Sequence, residues 1–151
     1  MKTLQNDSDK NALIARVKEL SPGSKAIWGK MNANQMMCHL TDQMRHAIGE
    51  RDNPDMSNLF FRTVGKWLVI NVVPVPKNIR TAPRVDQMIG GTKPTDFESD
   101  RETLVSYVEK MASLPDDFDW GPHFRFGAMN KKEWCALTHK HADHHLRQFG
   151  V

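Results

Sequence analysis

Histidines are concentrated near the C-terminal end of the chain, where four of the seven lie between positions 139 and 145. His141 and His145 are four residues apart, so on a helix they share one face with Cβ atoms about 5–6 Å apart. Two imidazoles at that separation can bind one ion, with each ring nitrogen about 2.0–2.1 Å from zinc. The spacing therefore predicts two ligands of a metal site.

His39 is the candidate for a third ligand. It lies on a second predicted helix, whose apolar face carries Met36, Leu40 and Met44. If the two helices pack at the usual 8–10 Å, the three rings can meet between them. Three histidines leave a coordination position open for water or substrate, as in catalytic metal sites. Residues three or four positions from these ligands are candidates for orienting the rings: Gln148, Thr138, Gln35 and Gln43.

Simpler interpretations of the same histidines stay open. Two histidines at this spacing arise by chance in a His-rich segment, and cations near a helix C-terminus are stabilised by the helix dipole. His46 is expected to face solvent and His123 to be a structural loop residue. His139 and His144 are out of phase with the proposed pair, which predicts that both are exposed.

Other reactive side chains give weaker signals. Cys38 adjoins His39, but neighbouring helical residues point about 100° apart, so Cys38 is expected to be a buried apolar residue rather than a nucleophile. Asp42 is one turn from His39 and could orient it, although a solvated aspartate is the default expectation. Basic and imidazole side chains in irregular segments are candidates for binding an anionic substrate: Arg80, Arg84, His123 and Arg125.

The elements that must position these residues are predicted to be helices. Hydrophobic periodicity predicts one helix after Ser8 and a second from Asn32 to Gly49. A third, over 58–73, is apolar on most faces and is therefore expected to be buried. A fourth is predicted from about Asp96 or Ser99 to Pro115. Asn32 with Gln35, and Asn130 with Glu133, have capping-box spacing, and the last helix should run from Asn130 to Gly150. A proline- and glycine-rich stretch over 74–94 interrupts the pattern. We expect an all-α bundle with one elaborated loop.

Length and composition favour one soluble domain over residues 1–151. The chain is 39% apolar and 26% charged, a balance that excludes extensive disorder. Its longest apolar stretch, 67–73, is broken by Asn71 and is far shorter than the roughly 20 residues of a membrane span. The N-terminus has no signal-peptide pattern, and two cysteines 97 positions apart form no disulfide framework. These features predict a cytoplasmic protein that does not bind membranes.

The net charge of +3 does not indicate a nucleic-acid-binding protein. Basic residues are scattered along the chain, and no zinc finger, RNP box or P-loop is present. We therefore expect no nucleic-acid partner, and interpret the basic charge as favouring solubility.

Two segments together resemble the DinB/YfiT-like superfamily of metalloenzymes. They are WGKMNANQMMCHLTDQM, which contains His39, and FGAMNKKEWCALTHKHADHHLRQFG at the C-terminus. The C-terminal segment resembles a small branch of that superfamily in particular, and the similarity runs from Trp28 to Gly150. The resemblance implies a four-helix up-down-down-up bundle. It also implies a divalent metal, commonly zinc or nickel, bound by His39, His141 and His145, and it is compatible with a homodimer.

Characterised members of that superfamily include thiol-dependent transferases and isomerases, in which the metal activates the thiol of a small cofactor. The resemblance therefore implies a metal-dependent S-transferase or hydrolase acting on a small molecule, with a low-molecular-weight thiol as a further cofactor. The alternative is a non-catalytic metal- or ligand-binding module of a stress response. The long segment 74–94 departs from the family pattern and leaves the substrate open.

Overall fold

The computed structural model describes residues 1–52, 54–77 and 86–151 of the chain. Its regular elements are six helices: α1 (Asp7–Glu19), α2 (Ala33–Ala47), α3 (Leu59–Arg62), α4 (Val64–Asn71), α5 (Phe97–Ser113) and α6 (Lys131–Gln148). Within those described ranges there is no β-strand, and only an isolated bridge joins His123 to Gly127. The expectation of an all-α protein is confirmed.

Helix starts follow the predicted capping chemistry. At α2 the Asn32 side chain accepts from the Gln35 backbone N–H, while the Gln35 side chain accepts from the Asn32 N–H. Asn130 and Glu133 form the same reciprocal pair at α6. Both arrangements satisfy N–H groups that have no partner inside the helix. The first helix is the exception, because Asn6 rather than Ser8 is its N-cap.

The four long helices enclose one apolar core, in which α1 and α2 each pack against both α5 and α6. Met36 and Met44 of α2, Leu104 of α5 and Leu146 of α6 are completely buried. Contacts between α2 and α6 link His39 with His141 and Gln43 with Thr138, so residue numbers increase in opposite directions across the pair. The two helices are therefore antiparallel, and the C-terminal half of α6 lies against the N-terminal half of α2.

The region predicted as one buried helix over 58–73 differs in two ways. It is two short helices separated at Thr63, whose Oγ1 donates to the carbonyl oxygen of Leu59 at 2.8 Å. Such side-chain bonds compete with the helical backbone ladder. Phe60, Val64 and Trp67 are each more than half exposed. The prediction of a buried helix was wrong, because an apolar sequence does not reveal which of its faces the rest of the chain covers.

No helix in the described part of the chain is long and apolar enough to cross a bilayer.

Candidate metal centre

Three imidazole rings meet between α2 and α6. The Nε2 atom of His141 lies 3.3 Å from Nε2 of His39 and 3.0 Å from Nε2 of His145. One ring nitrogen from each of the three lies within 4.8 Å of the other two. The antiparallel packing of α2 on α6 thus joins the HxxxH pair to a histidine about a hundred positions earlier.

The separations suit a metal ion. In a tetrahedral site with bonds of about 2.0–2.1 Å, neighbouring nitrogens are about 3.3 Å apart. Closing even a 4.8 Å separation to that value requires a ring movement of at most about 1.5 Å. The ring planes are steeply inclined to one another, at 61° to 86°, so the nitrogens approach edge-on rather than by stacking. The site can therefore accept an ion with only small side-chain adjustments.

Gln148 fixes the tautomer of His145. Its Nε2 donates to the carbonyl oxygen of Trp28 at 2.5 Å, so its Oε1 faces His145 and accepts from Nδ1–H at 2.8 Å. A neutral imidazole carries one proton, so Nε2 of His145 presents a lone pair toward His141. The predicted orienting role of Gln148 has its structural basis in this chain of bonds.

Hydrogen bonds among the three ring nitrogens can join them only in pairs. If Nε2 of His141 carries a proton, that N–H cannot point well at both His39 and His145, and if it carries none, two lone pairs face each other across 3.0 Å. A cation that accepts all three lone pairs removes this conflict. The donor set therefore fits a divalent ion, and imidazole is a ligand that zinc, nickel, copper and iron share.

Burial keeps the rings of His141 and His145 neutral. Only 5% of His39 and 8% of His145 is exposed. Burial lowers the pKa of His145 to about 3, with a further contribution from His39. Burial also lowers the pKa of His141 well below its usual range, and the adjacent imidazoles lower it further. Neutral imidazole is the form that binds a metal, so neither of these two rings is an imidazolium that must lose its extra proton at pH 7.

A turn before α2 packs against the C-terminal half of α6. The Trp28 ring lies 5.8 Å from that of His144, and the Lys77 ammonium lies 4.1 Å above the Trp28 ring. Gly29 has a φ of +81°, and a Cβ built on it would lie 2.4 Å from Nε2 of Gln148. Only glycine both adopts this conformation readily and leaves room for the amide that supports His145.

Replacing Gly29 with alanine is expected to weaken metal binding by about 10–100-fold, because the added methyl displaces Gln148 from His145. Competition against a chromophoric chelator measures the change. Gly49→Ala is the matched control, since Gly49 has a similar φ of +75° and nothing within 4 Å of the added carbon. Equal affinities for the two variants would contradict this role of Gln148.

The other predicted orienting residues act elsewhere. Gln35 caps α2, and its Nε2 donates to Sδ of Met88 at 2.9 Å. Gln43 donates to Oγ1 of Thr138 at 3.3 Å, which links the two helices one turn from the rings.

Both cysteines are buried, as predicted for Cys38, and burial raises the thiol pKa to about 12 for Cys38 and about 11 for Cys135. Neither thiol is a ready nucleophile at neutral pH.

Two histidines predicted to be exposed or to face solvent are buried. His139 is 4% exposed, and it lies near Asp9 and Arg16 because α6 packs against α1 as well as α2. His46 is also 4% exposed, and its Nδ1 lies 3.0 Å from the carbonyl oxygen of Arg51. His144, also predicted to be exposed, is half-buried. Because neighbouring helices cover two faces of α6, residues outside its hydrophobic stripe are buried although the stripe alone predicts them to be exposed.

Of the loop candidates for anion binding, the described part of the chain contains His123 and Arg125. His123 stacks on Phe126 at 4.5 Å and its Nδ1 accepts from two backbone N–H groups, so it is a structural loop residue, as expected. Arg125 lies over the Phe61 and Phe124 rings. Arg80 and Arg84 lie outside the described residues.

Asp42 was missed by sequence reasoning. Its side chain is completely buried rather than solvated, and its oxygens accept from the Thr92 N–H at 2.7 Å, the Thr92 hydroxyl at 2.6 Å and Nε2 of Gln87 at 3.0 Å. Arg51 forms an ion pair with it at 2.6 Å. Asp42 therefore attaches part of the irregular segment to α2. It lies one turn from His39, but its hydrogen bonds and ion pair are with Thr92, Gln87 and Arg51.

The profile of one protein family, described as a protein of unknown function (DUF1569), matches residues 2–150. No curated protein and no solved structure matches the chain.

Proposed function

The chain belongs to the DUF1569 family, and from that premise we propose that it is a divalent-metal-dependent enzyme with a DinB/YfiT-like four-helix bundle. The observation that carries the proposal is the convergence of three imidazole nitrogens, one with its lone pair fixed by Gln148. Zinc or nickel suits these ligands. The proposed activity is thiol-dependent group transfer or hydrolysis on a small molecule.

A metal held by three histidines supplies an open coordination position that acidifies and orients a water or thiol. The residues that would hold the ion are largely shielded from bulk water, since His39 and His145 are buried. The His144 ring, which contacts Trp28, lies 5.2 Å from the His145 ring. The chain's own thiols are protonated and buried, so in the transfer reaction the thiol comes from a separate small molecule.

Metal content tests this function most directly. Protein expressed in zinc- or nickel-supplemented medium is expected to contain about one equivalent of metal per chain by elemental analysis. Loaded protein is then assayed with panels of small-molecule thiols plus electrophiles, and of hydrolysable esters and amides. Turnover that disappears on chelation and returns with metal supports an enzyme. Metal without turnover favours a non-catalytic binding module, and absence of metal rejects both the enzyme and a metal-binding module.

A further inference from the structure

Gln43 lies between α2 and α6, one helical turn from the His39–His141 pair. It follows His39 by one helical turn, and its Nε2 donates to Oγ1 of Thr138 at 3.3 Å. Thr138 in turn precedes His141 by one turn of α6. Residues three or four apart share a helix face, so the Gln43–Thr138 pair forms the layer next to the His39–His141 pair.

The amide oxygen of Gln43 is buried, and it has no hydrogen-bond partner among the described residues. The side chain is not free to turn toward water, because its nitrogen is engaged by Thr138. Leaving a buried acceptor unsatisfied is costly, and native proteins rarely do so without a bound water, ion or ligand. The oxygen is therefore an acceptor that lacks a donor next to the candidate metal centre.

The layer spacing suits a donor bound at that centre. One helical turn rises about 5.4 Å, and an atom bound to zinc or nickel lies about 2 Å from the ion. A group bound at the open position on this side would therefore come within hydrogen-bonding reach of the Gln43 layer. Thr138 is less suited to this role, because its hydroxyl already accepts from Gln43 and contacts Sδ of Met111.

We propose that Gln43 is a positioning residue whose amide oxygen accepts a hydrogen bond from the proton-bearing group, a water or a substrate hydroxyl or thiol, that occupies the open position beside the three histidines. This inference rests on the proposed function. It assigns to Gln43 a role separate from that of Gln148, which supports a ligand ring and does not contact the bound molecule.

Gln43→Met tests this role with zinc alone as the probe. Methionine has nearly the same length and removes the unsatisfied acceptor, so the metal-free variant should melt at the same temperature as the wild type or higher. With zinc, the variant lacks an acceptor that the wild type uses, so its zinc affinity should fall about five-fold and its zinc-induced rise in Tm should shrink. Calorimetric melting and chelator competition measure both quantities. Gln43→Glu retains an acceptor and should restore the affinity.

The results separate failure of this inference from failure of the metal proposal. A wild-type protein with no zinc-induced change in Tm would overturn both. If wild-type protein binds zinc and Gln43→Met binds it equally tightly, the role of Gln43 is wrong while the metal centre stands. If the variant lowers Tm equally with and without zinc, Gln43 is only a structural link between α2 and α6, and the inference is again rejected.

Discussion

His141→Ala is expected to reduce bound zinc from about one equivalent per chain to less than about a tenth. His141 is the central ring, since its Nε2 lies within 3.3 Å of both other Nε2 atoms. Its removal leaves two donors with no shared neighbour. Losing a hydrogen-bond partner of a ligand typically weakens metal binding by at most roughly 100-fold. His141→Ala removes a ligand itself, so its zinc affinity should fall by more than that, and by more than the affinity of Gly29→Ala. Elemental analysis and chelator competition measure it.

His139→Ala is the matched control for this experiment. It lies on the same helix and is buried, but it faces α1. It should lose stability through the cavity it creates and still retain its metal. If His141→Ala keeps its zinc, or if His139→Ala loses it while remaining folded by circular dichroism, the assignment of ligands is wrong.

Asp42→Asn is expected to destabilise the protein by about 3 kcal/mol at pH 7. The substitution removes the charge that pairs with Arg51 and replaces an acceptor of the Thr92 and Gln87 hydrogen bonds with a donor. Because the Arg51 side chain is about one quarter exposed, the expected loss of stability is at the lower end of the range for breaking a buried ion pair. Urea denaturation measures the free energy of unfolding. Asp55→Asn, which breaks an exposed pair with Arg62, should change it little.

The same carboxyl group should make stability depend on pH. Burial tends to raise the pKa of Asp42, but hydrogen bonds from Thr92 and the charge of Arg51 outweigh burial and lower it below 3.8. Because the folded-state pKa is the lower one, the stabilisation is complete above about pH 4 and is lost as pH falls through the folded-state value. The difference in stability between the wild type and Asp42→Asn should therefore narrow in acid. A difference that stays constant from about pH 7 to about pH 2.5 would contradict this.

Local sequence features predicted the starts of α2 and α6 and two of the three histidines of the candidate site. Capping boxes at Asn32 and Asn130 depend on residues three apart, and the shared face of His141 and His145 depends on residues four apart. These distances are fixed within a single helix. His39 required an assumption about which helices are neighbours, and the packing of α2 against α6 satisfies it.

Features that depend on distant partners were not predictable in this way. Asp42 was expected to be solvated because Thr92, which buries and binds it, lies 50 residues away in an irregular segment. His139 was expected to be exposed because periodicity identifies one covered face, whereas α6 has two. The apolar residues of α3 and α4 were expected to be buried because hydrophobicity does not record which neighbours a segment acquires.

The turn at Trp28 and Gly29 also offers a way to tune the centre without altering its ligands. Its carbonyl holds Gln148, and Gln148 determines how strongly the Nδ1 proton of His145 is shared. The more strongly Gln148 accepts the Nδ1 proton, the more electron density Nε2 of His145 carries. Small changes in this turn therefore adjust, in graded steps, how strongly Nε2 can donate its lone pair to a metal. A protein engineer who seeks to change the affinity of the candidate metal centre can therefore begin more than a hundred residues upstream of the helix that carries two of the three histidines.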